Sequence, residues 1–315
     1  MTSRIKTENL GESFDIKKGV RQGDPLSPKL FSATLELIFR QLEWSTYGIK
    51  LDGVMLNHLR FADDLIIISN SPDQLVTMLT QLVDESQKVG LQMNLTKTKL
   101  MTNRSKEPVQ VNNDIIEYVD EYTYLGQIIS PTNDTSKEIE NRVTSSWKRY
   151  WSLKEITKNQ SIPQQLKTKV FNSCILPTMT YGCQTWALTI ENMKKLETCQ
   201  HNMERSMLNV KRKDKINLKH IRGKTKIADV SHTIKKLKWK WAGHLIRGKK
   251  DKWAKFVADW YPRDGKRKRG RPFRRWEDDL KATAGPMWRR KCRDRELWRD
   301  LGEAYAKAKQ FLPMS

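Results

Sequence analysis

Along the first 130 residues, apolar positions switch between short extended runs and helical stripes, whereas beyond Pro131 only helical stripes occur. Residues 3–20 read as an extended pair, with Ile5 before the polar turn Asn9-Leu10-Gly11-Glu12 and the alternation Phe14, Ile16 after it. Ser27-Pro28 reads as the N-cap and first-turn proline of a helix that carries Phe31, Leu35, Ile38 and Leu42 up to Trp44. The segment 58–69 is short, apolar and β-branched, and reads as a hairpin centred on Asp63-Asp64. Ser71-Pro72-Asp73 repeats the helix start, and Leu75, Met78, Leu79, Leu82, Val83 and Val89 form one face before Gly90 ends the helix. Short strands are expected around 91–94, 99–102 and 122–129. This order of elements predicts an α+β domain with a mainly antiparallel sheet.

In the helical half, Ile139, Val143, Trp147 and Trp151 line one expected stripe and Leu166, Val170 and Cys174 a second, after Pro163. A third helix is expected from about Ile190 to Leu208, and the run from Lys211 to Lys215 reads as a charged linker. A fourth stripe, Ile227, Val230, Ile234, Leu237, Trp241 and Leu245, opens a C-terminal part interrupted by the charged run Gly265-Lys-Arg-Lys-Arg-Gly-Arg-Pro272. Three parts are therefore expected: 1–131, 132–210 and 211–315. There is no repeat of solenoid type.

Charge separates these parts further. The 315 residues carry a net charge of +23, and 37% of them are apolar, enough for a core and against a wholly disordered basic chain. Residues 1–150 hold 18 basic and 20 acidic side chains, while 151–315 hold 41 and 16. Within the latter, 211–315 hold 34 basic and 12 acidic residues and seven of the eleven tryptophans. Cations neutralise phosphates and indole rings stack on bases, so such a segment suits nucleic acid. The competing reading makes the tryptophans core and the lysines and arginines a solvated face. Four cysteines without a C-x-x-C pair argue against a disulfide scaffold or a standard zinc module. The N-terminus lacks an apolar h-region, and no uncharged stretch approaches the ~20 residues of a membrane span. The expectation is a soluble nuclear or cytoplasmic protein with no membrane partner.

Phe61-Ala-Asp63-Asp64 places adjacent carboxylates between two apolar runs. Burying them unpaired is costly, and a divalent cation such as Mg²⁺ or Mn²⁺, held by carboxylate oxygen and substrate phosphates, removes the cost. An ordinary hairpin turn with two solvated aspartates is the alternative.

The neighbouring motifs add a family. Gly19-Val-Arg-Gln-Gly-Asp-Pro-Leu-Ser-Pro-Lys-Leu-Phe31, Asp63-Asp64 and Gly90-Leu-Gln-Met-Asn-Leu-Thr-Lys97 together resemble the reverse transcriptase of non-LTR (LINE-like) retrotransposons. Tyr122-Thr-Tyr-Leu-Gly126 resembles its primer-grip hairpin. Thr180-Tyr-Gly-Cys-Gln-Thr-Trp186 and Gly270-Arg-Pro-Phe-Arg-Arg-Trp276-Glu-Asp-Asp279 resemble recurrent C-terminal features of such elements. The resemblance implies a partial polymerase palm over 1–131, a helical thumb over 132–210 and a helical, basic nucleic-acid-binding domain over 211–315. It implies RNA-directed DNA synthesis, with an RNA template, a DNA primer or target and deoxynucleoside triphosphates.

Residue by residue, it makes Asp63 and Asp64 the metal-holding carboxylates, sets Arg21, Gln22 and Gly23 against template and incoming nucleotide, and brings Lys97 to the triphosphate. Lys97 as an ordinary surface lysine is the alternative. Such polymerases also use a third carboxylate upstream of the Gly19–Asp24 motif, together with fingers. Asp15 is the only upstream aspartate and lies too close to the Gln22-Gly23 turn to be that carboxylate. The expectation is a C-terminal part of a reverse transcriptase, catalytically incomplete alone, or a noncatalytic nucleic-acid-binding remnant of such an element. An intron-encoded maturase predicts a different tail from Gly270–Asp279. In the basic run, Lys266, Arg267, Lys268, Arg269 and Arg271 read as phosphate-binding, with an AT-hook around Arg-Gly-Arg-Pro as the alternative.

Overall fold

The computed structural model describes residues 2–15, 19–51, 53–112, 114–131, 135–248, 253–260 and 275–307. Its contacts divide the chain into two compact units, Met1–Tyr124 and Leu125–Ser315.

The first unit opens with an exposed hairpin, β1 (Thr2–Lys6) against β2 (Leu10–Asp15), in which Lys6 opposes Leu10. Its turn is therefore 7–9, earlier than the expected 9–12, because Leu10 and Gly11 join the second strand. In α1 (Ser27–Gln41) the cap position is Leu26 rather than Ser27. The Ser27 hydroxyl donates instead to the Arg21 carbonyl at 2.6 Å, and Asp24 Oδ1 accepts the Leu26 N–H at 2.8 Å. Two hairpins follow, β3 (Ile49–Leu51) with β4 (Val54–Leu56) and β5 (His58–Phe61) with β6 (Asp64–Ile67). Helix α2 (Pro72–Lys88) starts at the expected cap, Ser71 Oγ accepting the Gln74 N–H at 3.3 Å.

Beyond α2 come β7 (Lys99–Leu100), β8 (Gln110–Val111), β9 (Asp114–Ile115), β10 (Glu117–Tyr118) and β11 (Tyr122–Tyr124). β8 pairs antiparallel with β9, and β7 parallel with β10. The unit is α+β with mainly antiparallel pairing, but the strands form separate two-stranded ladders instead of one sheet. Residues 91–94 are not a strand; Leu91 and Met93 serve as packing side chains.

Helix α2 is the centre of this unit. Met78 and Leu82 pack with Leu35, Ile38 and Trp44, while Leu79 and Val83, one residue and so about 100° further round, pack with Leu100, Val109, Val111 and Ile116.

The second unit contains β12 (Gln127–Ile129), α3 (Thr135–Ser152), α4 (Lys154–Thr157) and α5 (Gln164–Val170), which runs through a π turn at Phe171–Ile175 into α6 (Leu176–Met179). Then come α7 (Ile190–Met207), α8 (Leu218–Thr225), α9 (Val230–Arg247), α10 (Trp253–Asp259), α11 (Asp278–Ala284), α12 (Trp288–Lys291) and α13 (Arg295–Lys307).

Two of the buried faces differ from the expected stripes. Helix α3 keeps the expected Ile139 buried, with Val143 and Trp147 packed against the same core, but adds Arg142, Ser146 and Tyr150 and leaves Trp151 exposed; Arg142 can be inside because Glu138 accepts its Nε–H at 2.6 Å. After Pro163 the buried row is Lys167, Phe171 and Ile175, one position on from Leu166, Val170 and Cys174. Helix α9 spans both cores of the unit. Its Val230 and Ile234 join the α3, α6 and α7 side chains, and its Trp239, Ala242 and Ile246 join α11, α12 and α13. The expected 132–210 and 211–315 parts thus share a helix.

Three of the seven tryptophans of the C-terminal part are core. Trp239, Trp288 and Trp298 are buried, Trp276 packs at the core's edge and Trp260 is exposed. Trp239 and Trp298 stack with centroids 3.8 Å apart, and each indole N–H donates to the other residue's carbonyl, at 2.7 and 3.1 Å. Each ring lies against a glycine of the opposite helix. A Cβ on Gly243 would come within 2.6 Å of Trp298 Nε1, and one on Gly302 within 2.9 Å of the Trp239 ring. Trp239/Gly243 and Trp298/Gly302 share the i, i+4 spacing, so each helix offers a ring and a seat for its partner's ring.

Candidate metal centre and nucleic-acid interface

Asp63 and Asp64 sit at the tip of the β5–β6 hairpin. Phe61 opposes Asp64, which leaves Ala62 and Asp63 as a two-residue turn, and Ala62 takes the left-handed conformation at φ 52°. For a residue with a Cβ that conformation costs about 1–2 kcal/mol, so the turn is held by its surroundings. Leu65 and Ile67 turn one strand face to the core. At the hairpin base, Asn57 Nδ2 donates to the Trp44 carbonyl at 2.7 Å and the Ile68 N–H to the Asn57 carbonyl at 2.8 Å. Arg60 lies 4.4 Å above the Phe39 ring and donates to Glu36 at 2.8 Å, tying β5 to α1. Arg60, then Arg40, hold the Glu36 carboxyl below its ordinary range. His58 packs on Phe39, and burial, followed by the Arg60 charge, lowers its imidazole to about 4.

Both carboxylates are exposed, and neither has a hydrogen-bond or ion-pair partner among the described residues. Two free oxygen donors on one turn suit a hard cation. They are an incomplete set, because the described residues contain no group of three His, Cys, Asp or Glu side chains placed to hold a metal ion. All four cysteines are free, and burial pushes the thiols of Cys183, Cys199 and Cys292 up to about 12.

One neighbour of the pair was missed in the sequence reading. The Tyr124 phenol is raised above its ordinary range by burial and then by the charge of Asp64, so this tyrosine lies within electrostatic reach of the carboxylates. Its motif, Tyr122–Gly126, was the available signal. The other site residues have separate local seats. Arg21, Gln22 and Gly23 are exposed in a turn closed by the Asp24 N–H on the Arg21 carbonyl at 3.3 Å. Gly23 has φ 86°, and no atom stands within 4 Å of where its Cβ would be. Glycine is thus required there by backbone conformation, and the space beside it is open. Lys97 is exposed in another turn, its N–H donating to Asn94 Oδ1 at 3.1 Å.

In the second unit the two C-terminal motifs meet. Trp276 Nε1 donates to the Gln184 carbonyl at 2.6 Å. The buried Lys238 ammonium donates to Asp279 at 3.0 Å and to the Trp186 carbonyl at 3.3 Å, and Tyr305 OH donates to the same Asp279 oxygen at 2.8 Å. Trp186, Trp276 and Asp279 therefore hold the unit together around a buried charge. Lys266, Arg267, Lys268, Arg269 and Arg271 lie outside the described residues. No described helix is long and apolar enough to cross a membrane.

Residues 1–129 match the family "Reverse transcriptase (RNA-dependent DNA polymerase)". A transposon-derived protein of Caenorhabditis elegans is 29% identical over 269 residues, covering 79% of this chain and 96% of that protein. The Pol polyprotein of a type-1 retrotransposable element R2 of Popillia japonica is 27% identical over 207 residues, 61% of this chain and 28% of the polyprotein. That of the type-2 element R2DM of Drosophila melanogaster is 37% identical over 86 residues, 27% of this chain and 8% of the polyprotein. The chain matches nearly the whole nematode relative but less than a third of either polyprotein. The reverse-transcriptase match thus covers the unit that carries Asp63 and Asp64, and the relatives of the chain are a transposon-derived protein and the Pol polyproteins of R2 retrotransposable elements.

Proposed function

We propose that the first unit is a polymerase palm in which Asp63 and Asp64 hold Mg²⁺ or Mn²⁺ for RNA-templated DNA synthesis. The observation that carries this reading is the pair of unpartnered carboxylates on a strained, core-anchored hairpin tip inside the matched family region. A divalent cation bound there would supply the Lewis acid that activates a 3′-hydroxyl and neutralises departing pyrophosphate. The chain's own contribution is positional. Phe39, Arg60 and Asn57 fix the hairpin, Gly23 leaves open space for template or nucleotide, and Lys97 offers a cation to the triphosphate.

Two carboxylates alone form an incomplete octahedral site, so metal affinity is weak and falls further in Asp63→Ala. Calorimetric Mn²⁺ titration of both proteins checks this, and identical isotherms would remove the site. Primer extension on an RNA template is expected to be poor for the isolated chain, because a third carboxylate is needed. Robust extension that Asp63→Ala abolishes would show that another chain supplies the missing ligand.

A second reading, noncatalytic nucleic-acid binding, draws on the 34 basic and 12 acidic residues of 211–315. Neutralising Lys266, Arg267, Lys268, Arg269 and Arg271 together should reduce the slope of log K against log salt on duplex DNA by about 4–5 if each meets one phosphate. An AT-hook would instead make the same changes erase a preference for A·T-rich over G·C-rich competitors.

A further inference from the structure

The row that α5 turns inward is costly as sequence. Leu166 is 54% exposed while its neighbour Lys167 is 3% exposed, so the helix has left a leucine in water and taken a lysine inside. Burying a leucine side chain is favourable by about 1.5–3 kcal/mol, whereas an unpaired ammonium is expensive to bury. Lys167 has no hydrogen-bond or ion-pair partner among the described residues. Its nearest influential charge is Lys158, and burial together with that like charge lowers its pKa. Lys158 is anchored at the site, its ammonium donating to the Ser206 carbonyl at 2.7 Å.

Lys167 lines a cavity of about 310 Å³ between the segment 160–164 and the end of α7. Gln160, Ser161 and Gln164 line it too, the Gln160 amide donating to the Lys158 carbonyl at 3.4 Å and the Gln164 amide to Thr168 Oγ1 at 3.4 Å, together with the apolar Ile162, Pro163, Met207 and Leu208. A buried cation without a counter-charge, with a second cation influencing it and a cavity beside it, is complementary to an oxyanion.

We propose that this cavity is an anion site in which Lys167, aided by Lys158, receives a phosphate group, from a nucleic-acid backbone or from a free phosphate or nucleotide. The site stands independently of any metal at Asp63 and Asp64. A bound phosphate supplies the charge that Lys167 lacks, which explains why a lysine occupies a row otherwise made of Phe171 and Ile175.

The test follows the lysine ammonium resonances of the full chain labelled with ¹⁵N-lysine, the Lys167 signal being the one missing in Lys167→Met. That variant loses an uncompensated charge and should fold at least as well as wild type; if it does not, Lys167→Arg provides the assignment. Inorganic phosphate and a short single-stranded oligonucleotide without terminal phosphates are titrated separately, with sodium chloride at matched ionic strength as control. A saturable shift of the Lys167 signal with phosphate supports a free-phosphate source, and one with the oligonucleotide alone supports a backbone source. In the latter case Lys167→Met lowers the salt slope of single-strand binding by about 0.7. A Lys167 signal unmoved by both probes, or moved equally by chloride, overturns the proposal.

Discussion

The two units bury their apolar side chains differently. In the first, β1 and β2 expose Ile5, Leu10 and Phe14, α1 exposes Leu30 and Leu37, and Phe61 beside the aspartates is exposed as well. Its core is divided between two small clusters on adjacent faces of α2. The second unit has a larger core that runs from Ile139 to Ile234, and a second one in which tryptophans provide the bulk. Charge follows the same division, with 14 basic and 17 acidic residues in 1–124 against 45 and 19 in 125–315. The unit that carries Asp63 and Asp64 is thus the one with short ladders and small core clusters. The strongly basic unit has enough core to tolerate its self-repulsion.

If that contrast is right, the heaviest losses come from the tryptophan core. Trp298→Ala removes the stacked partner of Trp239 and leaves Gly243 facing a void, and should cost about 3–5 kcal/mol. Chemical denaturation followed by circular dichroism measures it. Loss of the β5–β6 hairpin signals in the same variant would break the comparison, since it would show that the first unit depends on this core.

The buried pair comes next. Asp279→Leu removes the carboxylate that Lys238 and Tyr305 share and should cost about 3 kcal/mol, while the double change Lys238→Met, Asp279→Leu should recover most of it. A double-mutant cycle separates the pair's net contribution from the penalty of an orphaned charge, and purely additive losses would deny the coupling.

In the first unit the effects are smaller and pH-dependent. His58 is depressed to about 4 in the folded chain against an ordinary value near 6.5. The unfolded chain therefore binds the proton more readily between those values. Stability is complete above about pH 6.5 and falls as pH drops toward 4, a trend that His58→Phe should remove. NMR titration of the His58 ring gives the folded midpoint directly.

The smallest effects lie at the hairpin tip. Ala62→Gly should stabilise the unit by about 1 kcal/mol, since glycine adopts φ 52° without a Cβ penalty. Asp63→Asn should change stability by less than about 0.5 kcal/mol, because the carboxylate is exposed and unpartnered, while lowering metal affinity.

Much of this architecture was legible in the chain itself. The short, apolar, β-branched runs on either side of Asp63-Asp64 determined a hairpin with the carboxylates at its tip, and Ser71-Pro72 determined where α2 begins, because local composition and capping are properties of a few adjacent residues. The ordered motifs pointed to reverse transcriptase, in agreement with the match over residues 1–129. What only tertiary structure decided was which side of each helix faces inward. The α3 face widened to Arg142, which finds Glu138, and dropped Trp151, and the α5 row moved onto Lys167 at the edge of a cavity. Trp239 and Trp298 could have served bases or core, and only the approach of Gly243 and Gly302 to the opposite rings made them core. Partners distant in sequence, such as Lys238 and Asp279 or Trp276 and Gln184, cannot be inferred from periodicity. Burial of a polar group depends on finding its counterpart across space, and one chain read residue by residue does not hold that distance.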